Sequence, residues 1–378
     1  MKIVIAPDSY KESLTAMEVA TAIEKGFKKV MPNAEYIKLP MADGGEGTVQ
    51  SLVDATNGST LTAKVTGPLG ETVESFYGLL GEGSTAVIEM AAASGLHLVN
   101  PDERNPMLTT TFGTGELIKQ ALDSGVTHII LGIGGSATND GGMGMAQALG
   151  ARFYDKSGAD LGYGGGALSE LARIDLSGLD KRLADVTLEV ACDVDNPLCG
   201  PKGASHVFGP QKGATPEMVE QLDTNLAHFA DVIHQTTGRE VINQAGAGAA
   251  GGLGAAVLGL LSAKLRAGIN IVTDFVKLEQ EVKDATLVIT GEGRIDSQTI
   301  YGKTPIGVAK IAKKYHLPVI GIAGSVSKDC HVVYEHGIDA VYSVVLGATD
   351  LSTALKEAKS NIEITAQNIA TALALRLK

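Results

Sequence analysis

Hydrophobic and polar positions alternate along the chain at the spacings of strands and helices. Residues 2–6 form a short apolar run, which predicts a strand, and a polar turn follows it. The next helix is expected to begin at Thr15, because Thr15 and Glu18 have the spacing of a capping box, which satisfies N–H groups at a helix start. Residues 36–39 predict a second strand. A strand, a helix and a further strand in this order favour a parallel sheet.

The same alternation returns near the other end of the chain. Residues 286–290 predict an apolar strand, and residues 291–303 predict a long polar loop. Thr304 is expected to cap the helix that follows, with Pro305 in its first turn, where proline is favoured. Residues 351–378 have the spacing of one long amphipathic helix. Both ends of the chain therefore have the pattern of an α/β domain.

The middle of the chain has a different pattern, with short alternating strands, helix–strand pairs and Gly-rich loops. This change predicts an α/β fold of two unlike domains, in which a second α/β domain is inserted into the one that both chain ends build. The expected limits are residues 1–60 with 281–378 for the discontinuous domain, and residues 61–280 for the inserted domain.

Composition narrows the classes of function. The 378 residues carry a formal charge of −12, so the surface repels nucleic acid and anionic membranes. Aromatic residues are only 4% and Trp is absent, which leaves no stacking platform for single-stranded nucleic acid. We therefore expect neither nucleic acid nor a membrane as a partner. An anionic small-molecule substrate would need a local basic site.

Two further features concern the location of the protein. Cys192, Cys199 and Cys330 form no CxxC pair, which favours reduced thiols in a cytoplasmic protein. Residues 241–263 carry no charge, but the first half of this segment contains Asn, Gln, Gly and Ala rather than Leu and Ile. We interpret the segment as a Gly-rich loop that leads into a buried helix. The oligomeric state stays open, and a homo-oligomer is compatible with the sequence.

Glycine is the unusual part of the composition, with 47 residues, many of them clustered. Glycine lets backbone N–H groups approach a ligand closely, and arrays of such groups bind phosphate. Two phosphate-binding motifs fail, however. Residues 302–304 have the ending of a P-loop, but Ser297 stands where a P-loop needs glycine. Residues 246–251 match GxGxxG, but no buried strand precedes them, so the dinucleotide-binding context is missing.

Polar residues instead follow predicted apolar strands. Hydroxyl, amide and acidic side chains that suit a phosphate-binding loop follow the strand at residues 129–133: Ser136, Thr138, Asn139 and Asp140. Carboxylates that suit Mg²⁺ or a general base follow two other strands: Asp193, Asp195 and Asp296. Cations that could neutralise an anionic substrate lie in such loops: Lys11, Arg294 and Lys303. Because ligands of open α/β sheets bind beyond the carboxyl ends of strands, this combination indicates phosphoryl transfer without a P-loop.

Seven segments, in order and over the full chain, resemble the bacterial class I glycerate kinases: residues 7–13, 42–48, 132–142, 191–198, 208–214, 246–254 and 291–305. The resemblance implies ATP-dependent phosphorylation of D-glycerate, with 2-phosphoglycerate as the product. It also implies a flavodoxin-like parallel-sheet domain with a second α/β domain inserted into it, and an active site in the cleft between the two. We expect ATP and Mg²⁺ as cofactors.

The expected mechanism is direct in-line transfer without a phosphoenzyme. Four residues are expected at the reacting groups: Asp296 as the base, Asp43 as its alternative, Arg294 on the carboxylate or γ-phosphate, and Lys11 on a phosphate. Asp193 and Asp195 are expected to hold Mg²⁺. Nucleotide phosphates are expected to contact one cation and two loops: Lys303; Ser136, Thr138, Asn139 and Asp140; and Gly246, Gly248, Gly251 and Gly252.

Two other classes of function stay open at this point. The GxGxxG match leaves an NAD-linked hydroxy-acid dehydrogenase as one alternative. A non-catalytic sugar-acid sensor is the other, and it would bind glycerate without turning over ATP.

Overall fold

The computed structural model describes residues 1–261 and 263–375. The described strands, in chain order, are β1 (Lys2–Pro7), β2 (Glu35–Lys38), β3 (Ser59–Thr66), β4 (Thr72–Leu79), β5 (Thr85–Glu89), β6 (His128–Gly132), β7 (Arg152–Tyr154), β8 (Arg173–Asp175), β9 (Thr187–Ala191), β10 (Lys264–Arg266), β11 (Leu287–Ile295), β12 (Val319–Val326) and β13 (Ala340–Ser343).

The described α-helices are α1 (Ala16–Lys28), α2 (Thr48–Thr56), α3 (Ala91–Ser94), α4 (Phe112–Asp123), α5 (Met143–Ala148), α6 (Ala204–Phe208), α7 (Pro216–Thr237), α8 (Ala249–Gly259), α9 (Gly268–Phe275), α10 (Leu278–Val282), α11 (Thr304–Lys313) and α12 (Leu351–Ala374). The described 3₁₀ helices are Leu96–Leu98, Ala167–Glu170, Lys181–Ala184, Pro210–Lys212, Ser297–Ile300 and Cys330–His336.

The chain folds into two compact units. Unit 1 consists of Met1–Asp43, Gln50–Asn57 and Ile269–Lys378. Unit 2 consists of Gly44–Val49 and Gly58–Gly268. Both ends of the chain thus contribute to unit 1, and the long middle segment builds unit 2. The domain limits expected from the sequence stay a prediction, which limited proteolysis followed by mass spectrometry would test.

Unit 1 is built around a five-stranded sheet in the order β13-β12-β11-β1-β2, and all neighbouring strands are parallel. Numbered within this sheet alone and read from its other edge, the strand order is 2-1-3-4-5, which is the flavodoxin-like order. The expected flavodoxin-like domain is therefore confirmed. The strand order reverses between β1 and β11, and this switch point is where open α/β sheets bind ligands.

Helices α1 and α12 cover one face of this sheet and share its core with Ile3 and Ile5. The predicted capping box at the start of α1 is confirmed, since the Glu18 N–H donates to the Thr15 hydroxyl at 3.2 Å and the Thr15 N–H donates to the Glu18 carboxylate at 3.0 Å. The predicted C-terminal helix is α12, and residues 376–378 of that prediction lie outside the described residues.

Two local expectations in unit 1 are wrong. The strand expected to end at residue 290 continues to Ile295, because β12 goes on pairing with it: Arg294 pairs with Ser325, and Ile295 pairs with Val326. Thr304 is not the cap of α11, since Lys303 occupies the N-cap position. The Thr304 hydroxyl instead donates a hydrogen bond to Asp8.

Unit 2 contains a six-stranded mixed sheet in the order β10-β9-β6-β5-β4-β3. Strands β3, β4 and β5 are antiparallel neighbours, whereas β5, β6, β9 and β10 run parallel. Glu89, Gly132 and Ala191 are in register at the last positions of three parallel strands. The loops that follow these strands therefore emerge at one edge of the sheet. Unit 2 is thus a second, unlike α/β unit, as expected.

The uncharged segment at residues 241–263 leads into α8, a buried helix. Within α8, Ala250, Gly251 and Gly252 have left-handed backbone angles, with φ values of 53°, 65° and 89°. The segment thus turns sharply where a membrane helix would run straight; Ser262, within it, lies outside the described residues. Across the described ranges, no helix has the length and apolar character that a membrane crossing requires.

Candidate functional site

Two carboxylates flank the switch point of the unit 1 sheet. Asp8 follows β1, and Glu292 lies on β11 directly after Gly291. Because Pro7 pairs with Gly291, Asp8 and Glu292 occupy matching positions on adjacent parallel strands. The Asp8 N–H donates to the Gly291 carbonyl at 2.8 Å, which holds the two chain segments together at this point. Sheet register thus brings together two acids from opposite ends of the sequence.

Asp8 accepts hydrogen bonds from the start of α11 and from its own turn. The Thr304 hydroxyl donates to Oδ2 at 2.5 Å, and the Ser9 N–H donates to Oδ1 at 2.6 Å. Removal from water raises the pKa of Asp8 to about 6, and the negative charge of Asp43 adds to this rise. The hydrogen bond from Thr304 opposes it, because that bond favours the ionised carboxylate.

Glu292 is held between a hydroxyl and a cation. Thr299 Oγ1 donates to Oε1 at 2.7 Å, and Lys303 Nζ lies 3.7 Å from Oε2. Burial raises the pKa of Glu292 to about 7, with further increments from the charges of Asp8 and Asp43. Thr299 and Lys303 act in the opposite direction, but burial is the largest effect. Glu292 therefore changes its charge near neutral pH.

Asp296 is joined to Glu292 through one threonine. The Asp296 N–H donates to the Thr299 hydroxyl at 3.2 Å, and this is the hydroxyl that donates to Glu292. The Asp296 carboxylate accepts from the Gln298 N–H at 2.9 Å, as the cap of a 3₁₀ helix, and its Oδ2 lies 3.1 Å from Arg294 Nε. Arg294 is otherwise 66% exposed. Unit 1 thus brings the expected residues Asp296 and Arg294 together.

Lys11 differs from these neighbours. Its side chain is exposed, on the turn that the Tyr10–Leu14 bridge closes. Its backbone nitrogen approaches Gly293, where an added Cβ would lie 3.8 Å from it. Lys303, in contrast, makes an ion pair with Glu292. The cation fixed beside the acid pair is therefore Lys303, whereas Lys11 belongs to the adjoining turn.

In unit 2, Asp140 organises the loop that follows β6. Its fully buried carboxylate accepts from the Thr111 N–H and the Thr111 hydroxyl, both at 2.8 Å. It also accepts from the N–H groups of Gly142 and Gly144, at 3.0 and 3.2 Å. Burial raises the pKa of Asp140, although all four hydrogen bonds favour its anion. The protein's own donors therefore occupy the oxygens of this acid.

A buried lysine from a different part of unit 2 reaches this loop. Lys212 is 2% exposed, and its Nζ donates to Ser136 Oγ at 2.7 Å and to the Thr138 carbonyl at 2.6 Å. Burial lowers the pKa of Lys212 to about 7, while the charge of Asp140 works against that decrease. No carboxylate among the described residues lies within ion-pair distance of Nζ. Lys212 is thus a cation without a paired anion.

Two further polar groups of this loop are buried and incompletely bonded. Asn139 Nδ2 donates to Ser205 Oγ at 2.9 Å, but Asn139 Oδ1 has no hydrogen-bond partner. Thr138 Oγ1 is also buried without a partner. Buried polar atoms of native proteins nearly always have partners, so such atoms suggest a place for a ligand or water.

The glycines expected to cradle phosphates pack against the protein's own backbone. Three of them have left-handed φ angles: Gly246 (+82°), Gly251 (+65°) and Gly252 (+89°). A Cβ at Gly251 would lie 2.0 Å from the Thr138 carbonyl oxygen, and one at Gly248 would lie 2.2 Å from the Pro197 carbonyl oxygen. Glycine is therefore required here by close packing inside unit 2. A contact with nucleotide phosphates stays a prediction.

Asp193 and Asp195 lie in the loop after β9, and both are exposed. Asp193 Oδ1 accepts from the Gly268 N–H at 3.0 Å. Over the residues that the structure describes, no group of three or more His, Cys, Asp and Glu side chains could hold a metal ion. Mg²⁺ often binds through one or two carboxylates together with substrate phosphates, so two exposed carboxylates at a strand end fit that ion.

The sequence interpretation missed Asp8, Glu292 and Lys212 as site residues. Asp8 and Glu292 each follow a buried strand run, and that signal could have singled them out. For Lys212 the only signal was its place in the resembling segment 208–214, since nothing in the spacing of polar residues indicates that a lysine is buried.

Comparisons with known proteins agree on one family. The chain matches the glycerate kinase family over residues 3–374. It is 64% identical over 375 residues to a glycerate kinase of Bacillus subtilis (strain 168), covering 99% of this chain and 98% of that protein. It is 59% identical over 378 residues to a glycerate 2-kinase of Escherichia coli (strain K12), covering 100% and 99%. A crystal structure of a candidate glycerate kinase 2 from Salmonella typhimurium LT2 superposes with a TM-score of 0.92, at 61% identity, covering 99% of this chain and 98% of that one.

Proposed function

This chain belongs to the glycerate kinase family and is an enzyme of that type, and on this premise we propose that it uses ATP to phosphorylate the 2-hydroxyl of D-glycerate. The products are 2-phosphoglycerate and ADP, and the γ-phosphoryl group passes directly to the hydroxyl by in-line transfer. The proposed place of reaction is the cleft between the two units. The observation that carries the chemical part is the acid pair Asp8 and Glu292 at the switch point, with pKa values of about 6 and 7.

The first requirement of this reaction is a group that accepts the proton of the substrate hydroxyl. The sequence prediction assigns this role to Asp296, with Asp43 as its alternative. Glu292 is a further candidate, because a general base works best when its pKa lies near the operating pH. Thr299 holds the two segments together, because it accepts from the Asp296 backbone N–H and donates to the Glu292 carboxylate. We therefore assign proton acceptance to Asp296 or Glu292.

The second requirement is a set of cationic side chains that contact the anionic groups of the substrates. We assign Arg294 to the glycerate carboxylate or the γ-phosphate, because its guanidinium is mostly exposed and can bind an oxyanion with two donors. Lys303 lies at the N-cap of α11, where the helix dipole also favours an anion. Lys11 is assigned to a phosphate that approaches the adjoining turn.

The third requirement is a site for the nucleotide phosphates and for Mg²⁺. We assign the phosphates to the 136–140 loop and to the glycine segment that packs on it, and Asp193 and Asp195 to Mg²⁺. When bound, the ion supplies positive charge that neutralises the phosphate oxygens during transfer. The carboxylates orient it, and the hydroxyls and N–H groups of the loop hold the phosphate chain in position.

The assay that tests this proposal measures ADP release with D-glycerate, ATP and Mg²⁺. We expect turnover that needs all three, that stops in EDTA, and that leaves nicotinamide cofactors unchanged. Undiminished turnover in EDTA would refute the metal assignment. Reduction of NAD with glycerate would favour the dehydrogenase, and glycerate binding without ADP release would favour the sensor.

Two finer expectations belong to the same proposal. We propose a cytoplasmic enzyme, supported by three free cysteines in the described chain. A homo-oligomer stays an open expectation, and light scattering at several protein concentrations would measure it.

A further inference from the structure

Lys212 reaches the 136–138 loop from a closely packed turn. The 3₁₀ helix Pro210–Lys212 begins with proline and ends at Gly213, whose φ is +90°. A Cβ at Gly213 would lie 2.2 Å from the Arg104 carbonyl oxygen, so the chain allows little freedom here. From this turn the Lys212 side chain reaches Ser136 and Thr138, and hydrogen bonds to both hold its amine.

The contacts of this amine leave its charge unbalanced. An ammonium group has three N–H donors, and Lys212 uses two of them on a hydroxyl and a carbonyl, both uncharged. Burying a lysine in this way is costly unless an anion pairs with it. Asp140 acts on Lys212 through its charge, and its oxygens accept four hydrogen bonds from other groups.

The surrounding loop has unused polar atoms as well. Thr138 Oγ1 and Asn139 Oδ1 are both at least nine-tenths buried and have no hydrogen-bond partner. The Thr138 hydroxyl can donate to an oxyanion, and Asn139 Nδ2 keeps a second N–H beside the one that it donates to Ser205. Asn139 Oδ1 is an acceptor, so its partner is a donor such as water. A buried lysine and an unsatisfied hydroxyl on the loop that it contacts are the parts of an anion-binding site.

We propose that Lys212, Ser136, Thr138 and Asn139 form an oxyanion subsite with Lys212 as its cation. The subsite takes either a phosphate group of the nucleotide or the carboxylate of the substrate. The inference rests on the proposed function for the identity of these two ligands, and it adds a buried lysine of unit 2 to the cations Lys303 and Lys11 of unit 1.

Isothermal titration calorimetry tests the subsite with two probes: adenylyl imidodiphosphate with Mg²⁺, and D-glycerate alone. For Lys212→Met we expect one of the two dissociation constants to rise on the order of 10- to 100-fold, because a hydrogen bond to a charged group is lost. Lys202→Met, at an exposed lysine of the same unit, should leave both constants unchanged. A higher dissociation constant for the nucleotide analogue identifies a nucleotide phosphate as the ligand of the subsite. A higher dissociation constant for D-glycerate identifies the substrate carboxylate.

Proton uptake distinguishes a ligand contact from a structural role. With a pKa of about 7, Lys212 is mostly neutral at pH 8.5, and an incoming oxyanion favours the charged form. Wild-type protein should therefore take up as much as about one proton on binding, measured in two buffers of different ionisation enthalpy. Lys212→Arg should take up less, because its guanidinium is already charged. The dissociation constant of wild type should also rise between pH 7 and pH 9.

The charged and titratable groups around Lys212 must be considered when the proton uptake is assigned to Lys212. Asp140 lies on the same loop as Ser136 and Thr138, the hydrogen-bond partners of Lys212. The Asp140 carboxylate accepts from four donors of its own. Arg104 Nη1 donates to the Gln211 carbonyl at 3.5 Å. His206, on the neighbouring α6, lies 3.9 Å from Asp223.

Two results would overturn the subsite. One is a Lys212→Met variant that binds both probes as tightly as wild type but melts at a lower temperature. The other, which needs no folded Met variant, is equal proton uptake by wild type and Lys212→Arg for both probes. If wild type binds with the expected uptake yet makes no phosphoglycerate, the proposed function fails while the subsite stands.

Discussion

Burial shifts the pKa values of ionisable groups at the carboxyl edges of both sheets, acids in unit 1 and a lysine in unit 2. In unit 1, burial raises the pKa values of Asp8 and Glu292, so two acids keep protons that they would lose in water. In unit 2, burial lowers the pKa of Lys212, so a base loses a proton that it would keep in water. One edge can therefore accept a proton near neutral pH, and the other can receive an oxyanion. Phosphoryl transfer needs both.

The largest expected effect is on the acid edge of unit 1. Changing the base to its amide, by Asp296→Asn or Glu292→Gln, should lower kcat on the order of 10²–10⁴-fold. The KM for ATP should change little. Steady-state ADP release at saturating substrates measures this. Glu335→Gln, at an exposed glutamate of the same unit, is the matched control.

These two variants also separate the roles of the linked acids. If Asp296 only holds Arg294 in place, Asp296→Asn should mainly raise KM and lower the melting temperature. Near-normal kcat for both variants would refute the assignment of proton acceptance to this pair and would move it to Asp43 or Asp8.

The second effect concerns packing at the unit 2 edge. Gly251→Ala should lower the free energy of unfolding by about 1–3 kcal/mol, because φ is +65° and the new Cβ would meet the Thr138 carbonyl. Gly158→Ala is the matched control, since its φ is +85° but nothing lies within 4 Å of its Cβ position. Denaturant unfolding of both variants isolates the cost of the close contact. Equal losses would show that the Thr138 contact contributes nothing.

The smallest effect is a pH dependence of opposite sign at the two edges. Between pH 4.5 and about 7 the unfolded chain has lost the Glu292 proton while the folded chain keeps it, so this acid makes stability fall as pH rises. Between about 7 and 10.5 the unfolded chain keeps the Lys212 proton while the folded chain has lost it, so this lysine makes stability rise with pH.

Melting curves of Glu292→Gln and Lys212→Met across these ranges, each compared with wild type, measure the two contributions. The Gln variant should gain about 1–2 kcal/mol on wild type from pH 5 to pH 7. The Met variant should lose stability relative to wild type from pH 7 to pH 10, because wild type alone gains from the neutral Lys212. Differences that do not change with pH would mean that burial does not perturb these groups in solution.

The local elements of unit 1 could be predicted well where a short pattern determines them. The Thr15 and Glu18 capping box needs only four consecutive residues, and it forms as predicted. The end of β11 could not be predicted in that way, because residues 291–295 are polar and glycine-rich and become a strand only through pairing with β12. Non-local pairing, rather than local preference, decides that boundary.

The same distinction explains what could be predicted of the site. Asp296, Arg294 and Lys303 were found because they lie within one polar segment, residues 291–303, that directly follows an apolar run. Asp8 and Glu292 meet through sheet register across almost the whole chain, and Lys212 becomes buried only when its turn packs on the 136–138 loop. A sequence pattern shows which groups are present, whereas burial and distant pairing, which change their pKa values, arise in the fold.

Phosphorus NMR of the reaction product tests the central claim most directly. Wild-type protein, ATP, Mg²⁺ and D-glycerate are incubated, and the phosphorus resonance of the product is compared with authentic 2-phosphoglycerate and 3-phosphoglycerate. We expect the resonance of 2-phosphoglycerate together with that of ADP. A product that matches 3-phosphoglycerate would contradict transfer to the 2-hydroxyl, and loss of ATP to inorganic phosphate alone would contradict glycerate as the acceptor.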